Sequence, residues 1–348
     1  MEIRILSELS GIQIAEVTDE PIFSNVKIAC CHDALDQRIF DKYLQVQIGL
    51  MHIPRFVGRP YFWDVANVDA DTSISKVNAE VHSGLVNLIG FLWFVKDTSA
   101  NVMSTFSYAP ELHEENLFQL STTNHFTNAT GDYADTVFDR LDFIYAGEVF
   151  KIISKLTEDS VQTDLHSAQP TKHGIQPSKF NHTLYNTTNR IQRALSFLVL
   201  ARSQSFLPLK ISFYTAMLEC LFTTDSSEVS HKTAERTAFY FDWPDRYEVY
   251  EIIKLAYGLR SKFFHGQILE NKVATLEKQK DLSVKLDDII RKVLISILFN
   301  NSAVFADDDR LNAFLNSKIF ASSKPNDMYS LKSKEKNSSQ MKKKKRND

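Results

Sequence analysis

Between Asn181 and about Leu315 apolar residues recur at helical spacing with few glycines, and nothing constrains the fold of this 348-residue chain more. Patterning of that length carries several apolar stripes, which can be buried only by packing helices on one another. It predicts helices over roughly 183–204, 208–223, 229–241, 245–264 and 283–300. The breaks at Pro208, Thr224-Asp225-Ser226, Asp242-Trp243-Pro244 and Gly266 are short. Short connections imply antiparallel neighbours, hence a compact bundle.

The first 180 residues have a different character. Ile12-Gln13-Ile14-Ala15 and Val46-Gln47-Ile48 alternate as strands do, and Ser104–Tyr108 and Phe118–Leu120 also read as strands. Ser75–Lys96 has a helical period. Asp142–Leu156 predicts a second helix, with Phe143, Ala146, Val149, Phe150, Ile153 and Leu156 on one stripe. Thr157–Lys179, with Pro170, Gly174 and Pro177, reads as a linker. The expected fold class is therefore α+β: a mixed domain over 1–180 that ends in the linker, a helical domain over 181–320, and a tail from 321 to 348. Ser, Lys and Asn dominate that tail, so it has little to bury and is expected to be disordered.

Composition removes several classes of function. Ten glycines, none in a Walker or dinucleotide pattern, leave no Gly-rich phosphate loop. The net charge of −3 conceals a basic tail: from Ser322 onward nine Lys/Arg face three Asp/Glu, so the rest of the chain stands at −9. A body that acidic does not hold a long nucleic acid by bulk charge, although the Lys342–Arg346 run could hold RNA weakly or simply keep the end soluble. The cysteines, Cys30, Cys31 and Cys220, form no disulfide framework and suit a reducing compartment. Cys30-Cys31-His32-Asp33 lacks a second ligand pair at metal spacing, so no metal is expected. MEIRILSELSG has acidic residues and no long apolar core, unlike a signal peptide, and the most apolar run, Gly84–Val95, is too short to span a bilayer. The expectation is a soluble, cytoplasmic protein without membrane partners.

Val249–Gly266, VYEIIKLAYGLRSKFFHG, is the most informative stretch. At about 100° per residue, Ile252, Ile253, Ala256 and Phe263 form an apolar stripe with Arg260 in its middle. A guanidinium there needs a carboxylate partner, a wet crevice or an anionic ligand. His265 is turned about 140° from Arg260, and the two converge only if the helix loosens at Gly266, a good C-terminal cap. Arginine beside histidine in a cleft suits metal-free phosphoryl chemistry: imidazole moves protons near neutral pH and guanidinium stabilises a phosphorane. A structural ion pair and a capping histidine are the plain alternative.

Arg260, four intervening residues and His265 at the end of a long helix resemble the signature of the HEPN superfamily, and LRSKFFHG most resembles its Apea-like branch. Three upstream blocks extend the resemblance over about 185–300: Asn189–Leu195, Ile211–Phe222 (ISFYTAMLECLF), and Ser230-His231-Lys232 followed by Glu235–Ala238. The resemblance implies a helical bundle that dimerises, bringing two Arg–His motifs into one cleft, and an endoribonuclease acting as a toxin or in antiphage defence, without metal or cofactor. It implies 2′-hydroxyl attack leaving a 2′,3′-cyclic phosphate, with His265 as acid/base, Arg260 on the transition state, and Ser261 and Lys262 against RNA. RNA and a second copy are the implied partners, with a phage trigger or an antitoxin left open. Ser261 departs from the family, in which active members frequently carry a more polar or ionisable residue. A non-catalytic module that dimerises and binds RNA or a nucleotide is the competing reading.

Glu219 is a further candidate. Ser212, Thr215 and Glu219 form a narrow polar strip on an otherwise apolar helix. The carboxylate could orient Arg260 or His265, or the strip could simply face solvent. His231 reads as a cap or packing residue, and His113, His125, His166, His173 and His182 carry no pattern.

Overall fold

The computed structural model describes residues 1–15, 27–30, 42–49, 52–112, 117–158, 170–171, 174–175, 188–241 and 243–322. The chain is mixed α+β and divides into two compact units. Met1–Pro177 with Arg202–Phe206 make one, and Ser178–Ala201 with Leu207–Asp348 make the other. Most of the expected linker, the expected tail beyond Ser322, and Cys31, His32 and Asp33 lie outside the described residues, while the helix that ends at Ser322 takes in the first two residues of that tail.

The first unit is built on β1 (Glu2–Ser10), the segment that contains the acidic N-terminal residues. With β3 (Lys27–Cys30), β4 (Pro60–Asn67), β5 (Asn101–Tyr108) and β6 (Phe118–Ser121) it forms an antiparallel sheet of order β3-β4-β1-β5-β6. Glu2 pairs with Asn67 and Glu8 with Tyr61, while Arg4 faces Tyr108 across β5. The register slips between Glu8 and Leu9, leaving Met103 as the extra residue of a bulge. β2 (Ile12–Ile14) pairs in parallel with β7 (Thr136–Phe138), and β8 (Pro170–Thr171) with β9 (Gly174–Ile175) replaces part of the expected linker by a small antiparallel pair.

Both faces of β1 are covered. Ile3 and Ile5 pack on Ile74, and Leu9 on Leu85, Leu88 and Ile89, all from α2 (Ile74–Phe91). Phe143 and Ala146 of α3 (Arg140–Glu158) join that layer. On the opposite face Leu6, Tyr61 and Phe106 meet Leu44 and Ile48 of α1 (Lys42–Ile48). The expected strand at Val46–Ile48 is therefore a helix: the buried residues, Leu44 and Ile48, are four apart, and Val46 is exposed. Hydroxyls tie the sheet to α2. Ser7 meets Thr105 at 2.9 Å, His82 Nδ1 lies 2.8 Å from the Thr105 hydroxyl, and Ser107 donates to Asn78 at 2.8 Å.

The second unit has six helices among its described residues: α4 (Arg190–Arg202, its last residue folding with the first unit), α5 (Leu207–Phe222), α6 (Val229–Tyr240), α7 (Arg246–Phe264), α8 (Leu276–Ser296) and α9 (Asp308–Ser322). Their starts are chemically marked. The Asn189 side chain accepts from the Gln192 N–H and the Gln192 side chain accepts from the Asn189 N–H, a reciprocal capping box. Asp245 caps α7 and Thr275 caps α8. Pro208 does not break a helix, because it sits in the first turn of α5, where no N–H is needed. Two expectations are corrected here. The helix expected over 283–300 begins at Leu276 and ends in a π turn at Ile297–Asn301, and α9 extends beyond the last expected helix.

α5 is the core of this unit. From Lys210 to Phe222 only Phe213, Ala216, Glu219 and Cys220 escape full burial. Tyr214 donates to buried Asp287 of α8 at 2.7 Å, and Arg291 pairs with the same carboxylate. The C-terminal carbonyls of α5 are held by two guanidiniums: Arg190 bonds the Cys220 and Thr223 carbonyls, and Arg236 bonds that of Phe222 at 2.7 Å. Asp308 and Asn312 of α9 accept from the far sides of Arg190 and Arg236.

Candidate functional site

The open stripe of α5 is the floor of a cleft of about 520 Å³. α4 contributes Arg193 and Phe197 to one wall, and α7 contributes Arg260 and Phe264 to the other. Helix periodicity sets this composition: Arg193/Phe197 and Arg260/Phe264 are both i, i+4 pairs, so each wall presents a cation and an aromatic one turn apart.

Arg260 continues the buried face that Val249, Ile253 and Ala256 make along α7. Its guanidinium donates to Glu219 Oε1 at 2.6 Å, with the two side chains 33% and 20% exposed. Two of the three needs of a guanidinium on an apolar stripe are thus met together, by a carboxylate partner and a wet crevice. Tyr257, one turn before Arg260, donates its hydroxyl to the same Glu219 oxygen and lies within 3.4 Å of the Thr233 hydroxyl. Burial, and then the donation to Glu219, push the Tyr257 phenol well above its ordinary value, so it stays a donor. The guanidinium also stands 5.9 Å from the Tyr257 ring centre.

Glu219 is not part of a solvent-facing strip. Ser212 and Thr215 are buried and bond back to the Pro208 and Ile211 carbonyls, so that, although Ser212 also lines the cleft, only Glu219 of the three turns its polar group to a partner on another helix. Beside it the Cys220 thiol is raised by burial, an effect that Arg193 and Arg190 oppose. Asp225, at the cleft's edge, is held well below the usual carboxylate range by Lys232, which reaches it at 2.7 Å.

His265 is the C-cap of α7 and is exposed. Gly266 at φ +64° closes the helix: its N–H bonds the Phe263 carbonyl and the Gln267 N–H bonds that of Lys262, a Schellman arrangement. The chain turns away at that point, and His265 does not line the cleft that holds Arg260. Ser261 is exposed, and the Lys262 ammonium is 3.5 Å from Glu270. His231 Nδ1 lies 3.0 Å from the Tyr250 hydroxyl, a packing contact between α6 and α7. Within one chain, then, the fold brings together Arg260 and Glu219 and leaves His265, Ser261 and Lys262 on the adjacent outer turn.

Sequence reasoning missed Tyr257 and Arg193. Tyr257 was legible as the i−3 neighbour of Arg260, and Arg193 as the i+3 partner of Arg190. Among the described residues no group of three or more His, Cys, Asp or Glu could hold a metal ion, and no helix is long and apolar enough to cross a membrane. No protein-family model, curated protein or solved structure matches the chain.

Proposed function

We propose that the helical unit is a metal-independent endoribonuclease of the HEPN type that works as a homodimer in antiphage defence or as a toxin, with the first unit sensing a trigger or restraining activity. The observation that carries this reading is the Arg260 guanidinium, placed on a buried helix face yet open to a cleft and held there by Glu219. A guanidinium fixed in a half-dry site is set to stabilise charge that builds on phosphorus. In the proposed step, His265 takes the proton of a ribose 2′-hydroxyl as its oxygen bonds to the adjacent phosphorus. The bond from phosphorus to the 5′-oxygen breaks, and an imidazolium supplies the proton that this oxygen needs. Ser261 and Lys262 would contact the strand on the same turn.

The competing reading, a non-catalytic module that dimerises and binds RNA or a nucleotide, is favoured by the position of His265 outside the cleft of its own chain. Catalysis therefore requires a second copy to complete the site. Induced expression in bacteria tests the proposal. Wild type should arrest growth, alone or under phage challenge, and leave RNA with cyclic-phosphate ends, whereas His265→Ala should do neither. RNA binding without cleavage, unchanged by His265→Ala, would establish the binding module instead.

A further inference from the structure

The first unit holds a cavity of about 490 Å³ in which the Arg260 site has no part. Polar side chains, rather than apolar packing, preorganise its walls. Gly11, at φ +69°, brings the turn after β1 against the Ser99 carbonyl, where a Cβ would stand 2.3 Å from the oxygen. The buried Ser99 hydroxyl accepts from the Ala134 N–H and donates to the Ala134 carbonyl, both at 2.9 Å. Buried Asn101 accepts from the Phe126 N–H at 2.7 Å and donates to the Phe126 carbonyl at 3.0 Å. These bonds fix the two segments that bring His125 and Tyr133–Asp135 into the lining.

The groups so presented have hydrogen-bonding capacity to spare. Among the described residues the Arg59 guanidinium, also in the lining, has no ion pair and no hydrogen bond. Asp135 accepts from Gln13 at 3.2 Å and pairs with no cation among the described residues. Two opposite charges thus line one cavity without pairing with each other. His125 bonds no described group through either ring nitrogen, and its Nε2 is buried. A buried polar atom without a partner is rare in a native fold and calls for one that the chain does not supply. The Tyr133 hydroxyl has no partner among the described residues either, and Met103, the extra residue of the β5 bulge, adds an apolar face.

A guanidinium and a carboxylate that share a cavity select a ligand with both charges, because a plain anion meets Asp135 and a plain cation meets Arg59. The volume is in the ordinary range of small-molecule sites. We infer that this cavity binds a small zwitterion of the amino-acid class, its carboxylate against Arg59 and its ammonium against Asp135, with His125 and Tyr133 as hydrogen-bonding partners. The site goes beyond the ribonuclease reading and does not rest on it.

The test uses the full chain and the standard L-amino acids, offered singly at millimolar concentration, with acetate, ammonium and inorganic phosphate as probes of one sign of charge. At least one amino acid should raise the thermal midpoint of the first unit by about 5 °C or more at saturation, and the one-sign probes should not. In calorimetric titration that amino acid should bind at least about tenfold more weakly to Arg59→Gln and to Asp135→Asn, both substitutions at exposed positions. Its methyl ester should lose affinity for wild type but none further for Arg59→Gln, and its N-acetyl derivative should behave likewise with Asp135→Asn. His125→Phe keeps a ring without its nitrogens and should weaken binding several-fold. Midpoints that no amino acid moves, a shift that acetate or phosphate reproduces, or charge variants that bind as wild type does would each overturn the inference. None of these readouts is RNA cleavage, so failure here leaves the ribonuclease reading standing.

Discussion

Glu219→Ala removes the acceptor shared by Arg260, at 2.6 Å, and Tyr257. Hydrogen bonds to a charged group contribute about 1.5–3 kcal/mol each, so the gross loss is about 3–6 kcal/mol. Water reaches the pair through the cleft, since 33% of the Arg260 and 20% of the Glu219 side chain is exposed, and it offsets about half of that loss. The net expectation is about 1.5–3 kcal/mol. With a urea slope of about 2 kcal/mol/M, the unfolding midpoint of the helical unit, followed by far-UV circular dichroism, falls by about 0.8–1.5 M. Glu219→Gln keeps one acceptor and should lose roughly half as much. Arg260→Ala combined with Glu219→Ala should cost less than the sum of the two, because both act on one contact. A midpoint for Glu219→Ala within about 0.2 M of wild type would refute the reasoning. It would make the pair a screened surface contact of about 0–1 kcal/mol and leave Arg260 without its holder.

Three further outcomes follow from the packing. Burial lowers the His82 pKa below its ordinary 6.5, so the unfolded chain takes the proton first, and the first unit should lose stability as pH falls through 6.5 and below; denaturation across this range should show a weaker pH dependence in His82→Gln, and equal slopes would contradict the assignment. Asp287→Ala removes the buried carboxylate shared by Arg291 and the Tyr214 hydroxyl and should cost about 3–5 kcal/mol, against about 1–2 for Tyr214→Phe, both read from urea midpoints. Gly11→Ala would place a Cβ 2.3 Å from the Ser99 carbonyl oxygen at a φ of +69°, so thermal unfolding should show a loss of at least about 2 kcal/mol.

Most helices of the second unit were legible because their buried stripes are continuous and α4 and α7 start at the capping residues Asn189 and Asp245. What was missed has physical reasons. The first turns of α8 run along the surface, where Leu276, Glu277 and Lys278 are exposed and only Gln279 is buried before Leu282, so no stripe announces them. α9 buries little beyond Leu311 and Leu315 and follows a π turn that interrupts the period. β1 does not alternate, because a central strand covered on both faces buries Ile5 through Leu9 without a break. At the site, the stripe position of Arg260 foretold a partner, and the polar strip of α5 offered Glu219. Their pairing spans 41 residues, and only the packing of α5 against α7 decides it. The His265 N–H still bonds back to the Ser261 carbonyl, so the rotation of about 140° from Arg260 expected of an ideal helix persists to the cap and keeps His265 off the cleft.

The most direct test of the central claim is cleavage of single-stranded RNA by the purified full chain, with the ends of the products identified. Wild type should yield 2′,3′-cyclic phosphate and 5′-hydroxyl ends in the presence of a chelator. Arg260→Ala and His265→Ala should each reduce the rate by at least about 10²-fold while fold and dimer persist. Cleavage retained in either variant, or products with other ends, would contradict the account.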